Sequence, residues 1–453
     1  MTLKKTVVAL TLGASLIFTG SVTYAASPTG GKGATQKAQN QATIPYYVDE
    51  SKLPFDALPG IETDRYWGVH KGAGYRIEVP KNWNGELVLY AHGFRGTGLE
   101  LTVSNPRIRE TLLEQGYAWA ASSYSTNGYD VAQGVKDTHA LGSRFNGIVA
   151  TPTRTYITGH SMGGHITAVM AEQYSNSYDG ALPMCGVTGD TELFDFFTDY
   201  NVVAQSLAGI EKESQKLISD EDYTSNTVPQ IITKLGINDE GKSSTLTPEG
   251  EKLKAVTMNL TGGQRPLFDA AFFSYKNFLL GQLPTRGDYG VAAGNVVNTT
   301  DSVYQFDEDM NSISPEEQAL NDSVLRAVSD PQTKQQGLTG VPKVNGTHKM
   351  PMVSLHTVGD LFVPFHMQQL HVERAEANGN DDLLVTRVIR DVGHCGFNIL
   401  EESEAFEDLV DWVEEGTQPE GDNILDPETV ANEQFGTKYT RGYRDYDPLY
   451  SHN

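Results

Sequence analysis

The stretch RTYITGHSMGGHITAVM, Arg154 to Met170, sets Ser161 between Gly159 and Gly163, where an extended apolar segment runs into a helix-like one. Glycines two before and two after a serine remove the side chains that would collide in a tight strand-to-helix turn, and such a turn lifts the hydroxyl clear of the backbone. A hydroxyl is a poor nucleophile until a base takes its proton. Of the 11 histidines, His394 in VIRDVGHCGF is the candidate base, because it lies just past the last apolar strand-like run, where a loop returns over the carboxyl edge of a sheet. A carboxylate must fix the tautomer of that imidazole and stabilise its charged form. Asp360 in LHTVGDLFVP, directly after a strand end, is the candidate acid, and Asp190 in MCGVTGD is its rival.

A charged oxygen developing on an attacked carbonyl needs hydrogen-bond donors aimed at it. LYAHGFRG ends a central strand, and its histidine-glycine pair lets the chain turn so that the N–H of Phe94 faces the serine. The N–H of Met162, in the first turn of the helix, is the second donor. His160 and His165 read as packing around the turn, and His92 as a buttress for the donor loop. A glycine-flanked serine alone is weak evidence in a chain with 45 glycines; its weight comes from the strand before it, the helix after it and the donor loop upstream. The acidic run DEDMNS, Asp307 to Ser312, begins like a calcium loop, but Ser312 stands where a glycine is needed and Gln318 where the closing glutamate belongs. It reads as a helix-entry turn.

These groups need a scaffold that brings them together. From Tyr66 to Asp190 strand-like and helix-like segments alternate, the pattern of a mostly parallel sheet with helices on both faces. The rhythm stops after Asp190 for roughly 160 residues and resumes at PMVSLHTVGD. The organisation expected is therefore a core over 45–190 and 350–420, a helical cap over 191–349, and a C-terminal extension over 421–453 that packs on the core through its tyrosines. Ser314, Pro315 and Glu317 mark one cap helix start through a capping box. Phe196, Phe197, Phe272 and Phe273 can line an acyl pocket or form the cap's own core, and the second reading is the more economical.

Lys4 and Lys5 precede the apolar run VVALTLGASLIF and then Thr23 and Ala25, which fit a secretory signal cleaved after Ala25; residues 26–44 read as a flexible leader. That apolar run is short of the ~20 residues a membrane span requires. The formal charge of −24 opposes binding to nucleic acid or anionic membranes. Two cysteines in an exported chain, Cys185 and Cys395, permit one disulfide and argue against a cysteine-ligated metal site.

Taken together, HGF at 92–94, GHSMGG at 159–164, GDLFVP at 359–364 and GHCGF at 393–397 resemble the α/β-hydrolase superfamily in order and approximate spacing. The resemblance covers Tyr66 to Asp190 and Met350 to about Gly416 and leaves the cap unassigned. It implies an α/β-hydrolase fold with Ser161 as nucleophile, His394 as base, Asp360 as acid, and Phe94 with Met162 as the oxyanion hole. Together with the N-terminal signal pattern, the function expected is that of an exported serine hydrolase, resembling secreted carboxylesterases, that cleaves small or polymeric carboxylic esters without a cofactor or metal. A serine peptidase of the aminopeptidase or prolyl-oligopeptidase-like type is the alternative. Cys395 beside the histidine is similar to the tannase and feruloyl esterase branch, where a disulfide ties that position to the residue before the nucleophile. Here that residue is His160, so Cys185, at the end of the next strand, is the available partner.

Overall fold

The computed structural model describes residues 45–238, 245–284, 296–329 and 340–451. The signal and leader segments lie outside the described residues, as do parts of the region read as a cap. Eight strands form one sheet: β1 Thr63–His70, β2 Ala73–Pro80, β3 Glu86–Ala91, β4 Ala118–Ser122, β5 Arg154–His160, β6 Gly180–Met184, β7 Met352–Thr357 and β8 Leu384–Ile389. Their spatial order is β8-β7-β6-β5-β3-β4-β2-β1. The pairings of β3 with β4 and β5, and from β5 through to β8, are parallel, whereas β2 runs antiparallel to both its neighbours.

Strands covered on both faces must be apolar along their length, and β3, β4, β6 and β8 are buried at every position. On one face lie α2 (Val131–Ile148) and α3 (Met162–Gln173), with Val135, Leu141, Ile166 and Val169 in the core. On the other lie α1 (Arg109–Glu114) and α10 (Ile399–Glu415), whose Leu112, Phe406 and Leu409 pack on Val88, Trp119 and Tyr156. Burying each such side chain contributes about 1.5–3 kcal/mol. A capping box between Asn398 and Glu401 starts α10, and Gly416 closes it at φ 74°. β1 is a strand that the alternation from Tyr66 onward does not reveal, because it pairs only with β2 at the sheet edge and alternates half-buried with exposed residues.

Between β6 and β7 the described residues contain helices and no strand: α4 Glu192–Leu207, α5 Val228–Leu235, α6 Pro248–Leu260, α7 Phe268–Leu280 and α8 Pro315–Ser323. The capping box of Ser314 and Glu317 is formed, and Glu317 also accepts from the N–H groups of Phe306 and Asp307, so the acidic run before it is a helix-entry turn. α9 (His366–Asn378) follows β7, and α11 (Pro427–Ala431) lies in the C-terminal extension. The extension packs on the sheet, though Tyr443 and Tyr446 are about half exposed (52% and 51%). Its anchor is polar: Asp447 receives two bonds from the fully buried Arg390, just past β8.

Candidate active site

The carboxyl ends of the parallel strands share one edge of the sheet, which is where ligands bind in open α/β folds. Ser161 sits there between β5 and α3, at φ 59° and ψ −121°, a conformation a side-chain-bearing residue adopts only under constraint. Three glycines permit it. A Cβ on Gly163 would lie 2.1 Å from the carbonyl oxygen of Ala91, one on Gly159 2.4 Å from the oxygen of Gly163, and one on Gly164 2.6 Å from the Cα of Gly186. These contacts are with backbone, which cannot swing aside.

His394 lies in the loop after β8 with its Nε2 2.9 Å from the Oγ of Ser161 and its Nδ1 2.6 Å from Oδ2 of Asp360. An ionised carboxylate only accepts, so Nδ1 carries the proton and Nε2 is the acceptor for the serine hydroxyl. Asp360 is fully buried just past β7, and its second oxygen accepts from the N–H groups of Phe362 and Val363 at 2.8 and 3.0 Å. Those bonds point its first oxygen at the imidazole. Asp190, the rival acid, is committed elsewhere: it pairs with Arg374 at 2.7 Å and accepts from the N–H of Val344.

The donor loop after β3 lies against the elbow. A Cβ on Gly93 would be 3.2 Å from both the Cβ of Ser161 and the oxygen of His160, so the loop passes directly beside Ser161 at Gly93. The side chain of Phe94 is 42% exposed. His92 stacks on Tyr124 at 4.1 Å and receives the tyrosine hydroxyl bond on its backbone oxygen; burial pulls its imidazole down to about 4, so it is a neutral buttress. His160 lies 3.3 Å from the Tyr90 hydroxyl and 3.2 Å from Glu402, and His165 lies between the Tyr129 hydroxyl and the Pro342 oxygen.

Cys185 and Cys395 are joined by a disulfide that spans 210 residues of sequence. Both half-cystines have left-handed backbone, φ 44° and 53°, and the Sγ of Cys395 is 3.5 Å from Nε2 of His394. Arg107 clamps the same loop through the oxygens of Cys395 and Phe397 and an ion pair with buried Glu402. Since the two sulfurs beside His394 are bonded to each other, neither is a thiolate ligand for a metal ion.

Phe196, Phe197 and Phe272 are buried, and Phe273 is half-buried. Phe196 packs on Phe197 at 5.8 Å, and Phe272 packs on Phe268 and Phe273 at 6.3 and 6.0 Å. A ring that reaches His394 is Phe362, edge-on to it at 5.0 Å, with Phe278 of α7 edge-on to Phe362 at 4.9 Å and Phe197 behind at 6.1 Å. Sequence reasoning missed Phe278 and Phe362, although Phe362 stands two residues after the acid. It also missed Arg265, a buried residue between α6 and α7 whose Nε donates to the Val358 oxygen at 2.7 Å.

An eight-stranded sheet of this order with one antiparallel inner strand, a strained serine after β5, an acid after β7 and a histidine after β8 is the α/β-hydrolase fold. In sequence the chain is similar to the o-phthalyl amidase of Xanthobacter agilis, 24% identical over 408 residues that cover 79% of this chain and 88% of that one. Among solved structures it is similar to feruloyl esterase B from Aspergillus oryzae (TM-score 0.48, 14% identity, 83% of this chain and 86% of that one). Another is an esterase from Aspergillus oryzae (TM-score 0.46, 13% identity, 79% and 81%). No protein-family model matches the sequence.

Proposed function

We propose that this protein is an exported serine hydrolase that cleaves carboxylic esters through an acyl-enzyme. The observation that carries the reading is the unbroken chain from the Ser161 hydroxyl through His394 to Asp360, at 2.9 and 2.6 Å. In the first step the Oγ of Ser161 bonds to the substrate carbonyl carbon while Nε2 of His394 takes the hydroxyl proton, and Asp360 stabilises the imidazolium. The N–H groups of Phe94 and Met162 hold the oxyanion, a pair of donors each worth about 3 kcal/mol of barrier. The imidazolium returns its proton to the leaving alcohol, and a water activated by the same histidine then releases the acid. Export rests on the N-terminal signal pattern and on the disulfide, which persists in oxidising compartments.

The exposed rings of Phe94 and Phe278, with Phe362 touching the imidazole, favour an apolar or aromatic acyl group. The similarity to an amidase favours a second reading, cleavage of an aromatic acyl amide by the same steps with an amine as leaving group.

The test is fluorophosphonate labelling with a panel of p-nitrophenyl esters of graded acyl length and the matching aryl amides. Wild type should be labelled and turn over esters, and Ser161→Ala should lose both, with kcat lower by about 10⁴-fold or more. Ester turnover that survives in Ser161→Ala would remove the reading. Faster turnover of amides than of esters would transfer it to the amidase alternative.

A further inference from the structure

The loop that carries the acid of the triad is gripped by the cap. The connector from α6 to α7, residues 261–267, lies against residues 358–366. The oxygen of Thr261 accepts from the N–H of His366 at 3.2 Å. A Cβ on Gly262 would come within 2.9 Å of the Phe365 ring, so the two segments meet without a gap. Leu267, at φ 64°, is held in left-handed backbone at the connector's end.

Within this connector Arg265 is 4% exposed, its guanidinium over the rings of Phe268 at 4.9 Å and Phe365 at 5.9 Å. It donates to the oxygens of Val358 and Gly263 and to the hydroxyl of Thr261, at 2.7, 2.8 and 3.1 Å. These acceptors are all neutral. Burying a cation among neutral acceptors and rings is costly unless a counter-charge is near. The carboxylate whose charge opposes the effect of burial on Arg265 is Asp360, two residues beyond the carbonyl that Arg265 holds.

Among the described residues, the other ionisable groups around the Asp360–His394 pair are neutral or already paired. Burial holds His356 of β7 and His366 of α9 below the ordinary imidazole range, and so neutral. Burial raises Tyr275 of α7, which also stays neutral. Asp391, after β8, is paired with Arg444 at 3.1 Å.

We propose that Arg265 is a positioning residue of the triad: the cap's guanidinium fixes the Asp360 loop through Val358 and supplies the buried positive charge that keeps the Asp360–His394 pair from taking an extra proton in mild acid. The cap thereby does more than cover the cleft. It sets how far into acid the base stays free. This inference rests on the hydrolytic reading of the site given above.

The experiment compares wild type, Arg265→Gln and Arg265→Lys by the pH dependence of kcat/KM for p-nitrophenyl acetate, alongside the rate of Ser161 labelling by a fluorophosphonate over the same pH series. Removing a nearby cation makes the pair hold protons more tightly. Arg265→Gln should therefore move the acid limb up by about half to one pH unit and lower kcat roughly tenfold with KM nearly unchanged. Arg265→Lys keeps the charge, so its limb should stay at the wild-type position while kcat still falls. A limb that stays in place in Arg265→Gln, or moves as far in Arg265→Lys, overturns the proposal. If Arg265→Gln does not fold, Arg265→Lys decides: reduced kcat with unchanged limb and KM upholds it, and wild-type kcat overturns it. The labelling rates give the same comparison without turnover, so an absence of ester hydrolysis in the wild type would count against the proposed function and not against Arg265.

Discussion

Ser161, Cys185 and Cys395, at the carboxyl edge of the sheet, have positive φ without being glycine, and all three meet at His394. Such conformations cost of order 1–3 kcal/mol each and persist only where surroundings hold them. For Ser161 the hold is steric, through glycines that press on backbone. For the cysteines it is the covalent bond between them. Reduction releases that constraint directly beside Nε2, so thiol reduction should lower kcat at least tenfold while the α/β fold persists. Kinetics and far-ultraviolet circular dichroism on the same sample check this. Stability should also fall, by about 2–5 kcal/mol in urea melts. Fully reduced protein that keeps its kcat would show that Arg107 and the Asp360 bond hold the histidine loop by themselves.

At the scale of elements, α4 is tied to the segment that leads into α8. Asp195, one turn before Asp199, accepts from the N–H of Asn298; Asp199 accepts from the hydroxyls of Ser302 and Tyr304. Burial pushes the Asp195 carboxyl up to about 8 and that of Asp199 up to about 7, with Glu192 adding like charge. The folded state therefore binds more protons than the unfolded chain between the ordinary carboxylate range and these values. Stability from this pair is complete in acid and is lost as pH rises through about 7 and 8. Melting temperature should fall between about pH 5 and pH 8, and Asp195→Asn, which keeps the acceptor without the titration, should flatten that fall. An equal slope in wild type and Asp195→Asn would assign the loss to the overall negative charge instead.

Over the whole molecule, the C-terminal extension is bound to the segment after β8 by a buried ion pair. Arg390, four residues before His394, is 1% exposed and gives two bonds to Asp447 and two more to the oxygens of Glu433 and Phe435. Removing one partner of a buried pair strands the other charge, so Asp447→Ala should destabilise by about 3–5 kcal/mol in denaturant melts. A loss below about 1 kcal/mol would mean that the extension is not anchored there.

How much of this was legible in the sequence differs by the range of the interactions. Ser161 with its glycines, the buried runs of β3 and β8, and the capping box at Ser314 are readable because steric limits, strand burial and helix caps act over a few residues. Strand ends carrying Asp360 and His394 narrowed the triad to a short choice. The choice between Asp360 and Asp190 was made by partners far along the chain, Arg374 and His394, and no local pattern encodes them. The same holds for Phe278 against Phe362, for Arg265 at Val358 and for Arg390 at Asp447. Local sequence determined which backbone shapes and chemical groups were available. Tertiary packing alone decided which groups meet, because burial and charge pairing depend on distances in space that separation along the chain does not set.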